Sequence, residues 1–327
     1  MYLVTGGAGF IGSNLVAELA ARAHSVVVCD WMRNDERWRN LAKHEIADLI
    51  APESLHEWLR QQSPALRAVV HMGAISATTE TDVDLIARNN IRATLDLLQW
   101  CQVSGTPFIY ASSAATYGDG GAGFDDEFSI DALARLRPLN AYGWSKHVVD
   151  RRIARLVHEG AKLPPQWVGL KFFNVYGPNE YHKGTMQSVV ARNFAPVRSG
   201  EPMRLFRSYK PQYSDGGQLR DFIYVKDCVD VILWLLEHPR VSGLFNLGSG
   251  QARTWLDLAN ALLRTCGRDK GIEFIEMPPA LIDKYQYFTQ ARMERLRLAG
   301  YMRAFTSLEQ GVNDYVQRYL ATADPYR

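Results

Sequence analysis

The stretch that most constrains this chain lies near its beginning: Thr5-Gly6-Gly7-Ala8-Gly9-Phe10-Ile11-Gly12. Gly7, Gly9 and Gly12 fall in G-x-G-x-x-G spacing. Three such glycines serve a tight turn, a close approach of backbone to a pyrophosphate, and close packing of helix on strand. The pattern alone says little, and its setting gives it weight. Residues 2–5 are short, apolar and partly β-branched, and read as a buried strand. Ser13-Asn14 and the run through Leu15, Leu19 and Ala20 read as a helix, and residues 25–29 form a second apolar run ending at Asp30. Strand, glycine turn, helix and strand make a βαβ unit. The N-terminus of its helix offers unpaired N–H groups to a phosphate. Asp30 stands where an acid takes the adenosine ribose hydroxyls, which favours NAD. Arg33, Arg37 and Arg39 follow, and a guanidinium can hold a 2′-phosphate. Residue chemistry leaves NAD against NADP open.

The alternation continues down the chain. Residues 68–71, 108–111 and 167–173 read as strands, and 83–103 and 142–157 as helices. Strands alternating with helices imply an α/β fold with a doubly wound parallel sheet of Rossmann type. After Asn174 the pattern changes. Pro178, Pro196, Pro202 and Pro211, with Gly216-Gly217, mark loops and short elements. Helical periodicity returns over 225–236, a strand over 244–247 and a helix over 255–263, and segments 274–279 and 308–319 close the sequence. This predicts a nicotinamide-nucleotide domain over 1–173, to which 219–245 returns. A smaller α/β substrate lobe takes 174–218 and 246–327.

Composition removes several function classes. Lys and Arg number 37 against 35 Asp and Glu, a net charge of +2, so no global field recruits nucleic acid or anionic lipid. No apolar run approaches the roughly 20 residues that cross a bilayer. No basic stretch precedes the first apolar residues, which reads as no secretory signal. Cys29, Cys101, Cys228 and Cys266 are scattered and read as reduced, cytoplasmic thiols. No His/Cys cluster has metal-ligand spacing, so no metal is expected.

Tyr142-Gly143-Trp144-Ser145-Lys146 sets a phenol and an ammonium four residues apart, on one face of a helix. A nearby cation lowers a tyrosine toward neutrality and makes it a usable acid and base. Ser112-Ser113 follows the strand at 108–111. Together with the glycine turn, these residues resemble the extended short-chain dehydrogenase/reductases that act on nucleotide sugars; the matching motifs are T-G-G-A-G-F-I-G, S-S-A-A-T-Y-G from Ser112 to Gly118, and Y-G-W-S-K. More narrowly, the chain resembles the ADP-L-glycero-D-manno-heptose 6-epimerases. That likeness rests on Gly73-Ala74-Ile75-Ser76, Thr78-Thr79-Glu80, Phe172-Phe173-Asn174-Val175-Tyr176-Gly177-Pro178, His182-Lys183-Gly184 and Tyr285-Gln286-Tyr287-Phe288-Thr289-Gln290. It covers essentially the whole chain.

The resemblance implies a retained NADP, with NAD the other candidate. Gly6, Gly9, Phe10, Ile11 and Gly12 would hold the pyrophosphate. Asp30, Trp31 and Arg37 would take the adenosine end, and Ala74, Ile75, Ser76, Asn89 and Val175 the nicotinamide side, with Tyr142 and Lys146. Trp31 replaces the family's asparagine and Arg37 its lysine. The implied reaction removes a hydride from the exocyclic carbon of a heptose and returns it to the opposite face. Inversion needs proton traffic on two sides. The resemblance assigns Tyr142 as one base and Lys183 as the other. Lys146 would lower the Tyr142 pKa and hold the ribose, and Ser113 would bind the reacting oxygen. Ser113, Asn174, His182, Thr185, Arg192, Phe206, Arg220 and Tyr285 would contact the nucleotide sugar. Arg192 replaces a histidine of the family, and segment 206–219 is longer than the family's. The resemblance also implies lipopolysaccharide inner-core synthesis, a cytoplasmic location and a homo-oligomer, a pentamer.

Other residues read as structural. His71 is expected as a satisfied core histidine, Trp100, Trp234 and Trp255 as core, and Asp125-Asp126-Glu127 as a solvated acidic turn. The competing functions are a UDP-hexose 4-epimerase, which lacks the H-K-G base, and a nucleotide-sugar 4,6-dehydratase, whose acid pair is replaced here by Ala114-Ala115. A non-catalytic nicotinamide sensor is the third, and such proteins lose the Tyr or Lys retained here.

Overall fold

The computed structural model describes residues 1–62, 65–282 and 285–327. Its strands are β1 (Tyr2–Thr5), β2 (Val26–Cys29), β3 (Asp48–Ile50), β4 (Ala68–His71), β5 (Phe108–Ser113), β6 (Trp167–Phe172), β7 (Asn174–Tyr176), β8 (Met203–Phe206), β9 (Leu219–Tyr224), β10 (Gly243–Leu247), β11 (Ala252–Thr254) and β12 (Ile272–Ile275). Seven of them form one sheet in the order β10-β6-β5-β4-β1-β2-β3. Every pairing in it is parallel.

Burial on both faces explains why the central strands read as continuous apolar runs. Alternate residues supply opposite faces. Val4, Val26, Val28, Val70 and Ile109 pack on one side with residues of the Val225–Glu237 helix, including Val229 and Ile232. Leu3, Val27, Val69, Phe108 and Tyr110 pack on the other with Leu97, Leu98, Val149 and Ile153. The strand order reverses direction between β1 and β4, the switch point at which open α/β sheets bind ligands.

Helix 83–103 of the sequence reading is real but not uniform. It runs as Val83–Ile86, a wider π segment over Ala87–Arg92, and Ala93–Ser104. The 142–157 helix spans Ala141–His158, capped by Asn140, whose side chain accepts from the Gly143 N–H at 2.8 Å. A strand between Asp30 and Ala68 was not expected. Asp48–Ile50 forms one at the sheet edge, where two of its three residues are exposed.

Past Asn174 the strands divide. β10 joins the main sheet beside β6, whereas β9 sits in a three-stranded sheet with β7 and β11. β8 pairs with β12 alone. A second core of Phe194, Leu205, Phe222, Leu258, Leu262 and Val312 lies under these small sheets.

Candidate active site

The glycine turn follows β1 directly. Gly6 takes φ +64°, a region that costs an L side chain about 1–2 kcal/mol. A Cβ there would sit 2.5 Å from the Gly73 nitrogen, where the end of β4 passes. A Cβ on Gly12 would land on the Gly6 carbonyl oxygen, well inside contact. The third glycine therefore lets helix Phe10–Ala21 close onto the turn. That helix begins at Gly9 with no side-chain cap and no acidic residue in its first turn. Its first N–H groups stay unpaired within the helix and suit a pyrophosphate. The residues present fit a dinucleotide here.

Asp30 closes the turn from the end of β2. One carboxylate oxygen accepts from the Ala8 N–H at 3.0 Å and the other from the Trp31 N–H at 2.8 Å. Burial pushes its pKa up, against the pull of Arg37. Arg37 lies 3.7 Å from Asp30, but its guanidinium is held by Asp35 through bonds of 2.8 and 2.7 Å. Trp31, in place of the family's asparagine, donates its indole N–H to Glu53 at 2.6 Å, and Arg33 covers the ring.

On the nicotinamide side, Ala74 is half-buried, Ile75 buried and Ser76 exposed. Ile75 is gripped by a residue the sequence reading passed over. Buried Asn90 accepts from the Ile75 N–H at 2.8 Å, donates to its carbonyl at 2.9 Å, and donates to Ser145 Oγ at 3.0 Å. The neighbouring Asn89, expected on that side, spends its amide N–H on the Leu85 carbonyl at 2.8 Å. An asparagine pair inside an apolar helix was the available signal, because asparagine is a poor helix former without a bond to make.

Ser113, at the end of β5, stands close enough to Tyr142 for its hydroxyl to act on the phenol. Burial pushes Tyr142 up, and the Ser113 hydroxyl pulls it back. Burial also pushes Lys146 down to about 8, against the nearby Asp150 carboxylate. Asp150 in turn anchors the helix to the sheet. It accepts from Tyr110 at 3.0 Å and Ser112 at 2.7 Å, and lies 3.3 Å from fully buried Lys171, which also donates to Thr116 at 2.6 Å.

Lys183 stands in the short helical segment Tyr181–Met186, its ammonium 4.9 Å from the centre of the Phe10 ring. The second expected base thus touches the first residue of the pyrophosphate helix. Burial lowers its pKa, and Glu180 opposes that shift. His182 Nδ1 lies 3.4 Å from Asn40, and burial with the neighbouring Arg37 pushes its pKa down to about 4.

That group is aromatic. Arg220 is 7% exposed and lies 5.1 Å from the Tyr285 ring and 5.9 Å from Trp255. Phe206 meets Tyr285 edge-on at 6.2 Å. Among the described residues no carboxylate pairs with Arg220, whose one bond runs to the Leu219 carbonyl at 2.8 Å. A buried guanidinium with free donors suits an anion. Arg192 reaches the Thr185 carbonyl at 3.4 Å. Asn174 and Thr185 are exposed, and Val175 is half-buried between the two main cores. The longer segment 206–219 is organised by Asp215, which accepts from Ser208 N–H at 2.8 Å and pairs with Arg207 at 3.0 Å.

His71 is the satisfied core histidine expected, bonded to Thr5 at 2.6 Å and Thr94 at 2.9 Å. Trp234 is core, while Trp100 and Trp255 are half-buried. Asp125 and Glu127 of the acidic turn are exposed as expected, but Asp126 is not: it is 1% exposed and accepts from the Asn246 N–H at 2.7 Å. Among the described residues, no group of three or more His, Cys, Asp or Glu could hold a metal. No described helix is long and apolar enough to cross a membrane.

A glycine turn at the sheet's switch point, with Ser113 at the end of β5 and Tyr142 and Lys146 on the Ala141–His158 helix, defines a nicotinamide-dependent enzyme of the short-chain type. Residues 2–248 match the NAD dependent epimerase/dehydratase family, and the chain belongs to it. Within that family it is 50% identical, over all of both chains, to the ADP-L-glycero-D-manno-heptose-6-epimerase of Nitratidesulfovibrio vulgaris strain DP4. The solved Helicobacter pylori enzyme of the same name is 29% identical, with TM-score 0.78 over 97% of this chain and 95% of that one. The UDP-glucose 4-epimerase of Thermus thermophilus, solved in complex with NAD, is 26% identical, with TM-score 0.73 over 96% and 97%.

Proposed function

We propose that this protein interconverts ADP-D-glycero- and ADP-L-glycero-β-D-manno-heptose by inversion at the sixth carbon of the sugar. The observation that carries the reading is 50% identity over the full length of a relative of that name. Ser113 beside Tyr142 and the poised Lys183 supply chemistry of the kind required. The nicotinamide, when bound, supplies reversible hydride transfer. The chain's own residues then handle protons and position. Ser113 holds the reacting oxygen. Tyr142 exchanges a proton with it, its phenolate favoured by the Ser113 hydroxyl and by the Lys146 ammonium. Lys183, kept weakly basic by burial, serves the opposite face. Arg220 takes the diphosphate between Tyr285 and Trp255.

NADP is the proposed cofactor form. Arg37 supports it, provided the 2′-phosphate replaces Asp35 as the guanidinium's partner. A cytoplasmic homo-oligomer acting in lipopolysaccharide core synthesis completes the proposal. The test of the chemistry is turnover in D₂O. Hydride removal and return leaves the sixth carbon without solvent deuterium. Deuterium incorporated at that carbon contradicts the mechanism.

A further inference from the structure

Buried Asn40 lies where three separate segments meet. Its amide nitrogen donates to the Ala8 carbonyl in the glycine turn at 2.8 Å and to the Asn179 carbonyl at 3.2 Å, and lies 3.4 Å from His182 Nδ1. One side chain therefore bridges the pyrophosphate turn to the loop that carries Lys183. Asn179 is the other half of the joint. It is fully buried, in the left-handed region at φ +71° that asparagine tolerates better than most residues. Its side chain donates to Ser13 Oγ on the pyrophosphate helix at 3.1 Å and accepts from the Arg327 N–H at 2.9 Å.

Segment 324–327 straps the joint from outside. The Arg327 guanidinium pairs with Glu18 and reaches Asn14, both on the pyrophosphate helix. The Tyr181 hydroxyl donates to the Pro325 carbonyl at 2.8 Å, and Lys43 donates to the Tyr326 carbonyl at 2.6 Å. Tyr181 and Tyr326 meet edge-on at 5.3 Å. Helix, adenosine loop and Lys183 loop are thus tied at one point.

We infer that Asn40 and Asn179, strapped by segment 324–327, are positioning residues that set Lys183 against the bound dinucleotide. The inference rests on Lys183 acting as a base. None of the tied groups need touch the sugar. They act through Lys183, four residues beyond Asn179, because a displacement of about 1 Å at a proton-transfer group can cost about a hundredfold in rate.

A double-mutant cycle on the cofactor-loaded enzyme tests this. Asn40→Leu is expected to lower kcat about 10- to 100-fold with little change in KM. In a Lys183→Ala background the same substitution is expected to change kcat by less than about twofold, because its target is gone. Losses that multiply, with Lys183→Ala itself impaired, overturn the positioning role and leave the base in place. Near-full activity of Lys183→Ala removes the base and the inference with it. Deletion of residues 324–327 provides the same cycle from the surface, should Asn40→Leu fail to fold. It is expected to be non-additive with Lys183→Ala in the same way, and multiplicative losses count against the inference.

Discussion

In the proposed mechanism Tyr142 and Lys183 carry the proton chemistry, and each is expected to be separable from the fold. Tyr142→Phe and Lys183→Ala should each lower epimerisation by about 10²- to 10⁴-fold while the unfolding transition stays in place. Full activity in either variant would remove that residue from the mechanism. On the proposed reading cofactor choice rests on Arg37, and Arg37→Ala should weaken retention of NADP more than that of NAD, read by titrating the cofactor-free protein with each. Equal weakening would leave Arg37 a partner of Asp35 and no more. His71 gives a pH signature. Burial, with Lys146 nearby, pushes it down to about 3, so the folded protein refuses a proton that the unfolded chain accepts below its ordinary 6.5. Stability should fall as pH drops through that window, by up to about 1.4 kcal/mol per unit from this group. His71→Gln should flatten that part of the stability–pH curve measured by denaturant titration. An unchanged slope would assign it to other groups.

At the scale of elements, the central strands were legible because both faces of the sheet are buried, so β1, β2 and β4 read as unbroken apolar runs. β3 was not, because Asp48 and Leu49 are exposed at the edge and carry no alternation. The glycine turn and the Tyr142–Lys146 pair were legible because their partners are near in sequence. Asn40 and Asn179 were not, since the contact spans 139 residues and no local pattern announces it. The tilt of Tyr142 upward was hidden too, because burial is set by tertiary packing. The π segment Ala87–Arg92 belongs to this scale. It presents Asn90 to the Ile75 backbone, and π segments recur at functional sites. Asn90→Leu leaves both Ile75 groups unpaired and should cost about 1–3 kcal/mol for each. Faster loss of bound nicotinamide in a dilution experiment is expected with it. Retention equal to the parent would show that the Ile75 loop does not need the clamp.

The whole molecule couples two lines of construction. In the proposed reading the main sheet presents its switch point to the dinucleotide, and the small sheets present Arg220 and its aromatic neighbours to the sugar nucleotide. Segment 286–289 ties them, since Leu219 N–H donates to the Tyr287 carbonyl at 2.9 Å and Thr289 N–H to the Leu219 carbonyl at 3.2 Å, while the Gln286 side chain donates to the Gly118 carbonyl beyond β5 at 2.8 Å. The most direct test of the reading as a heptose epimerase is one incubation. Purified protein is given ADP-D-glycero-β-D-manno-heptose with no added nicotinamide, and the two epimers are resolved by chromatography. Conversion to an equilibrium mixture is the predicted result, and it would establish substrate, reaction and retained cofactor together. No conversion, even after addition of NADP and then NAD, would contradict the proposed function and turn the search to other nucleotide sugars.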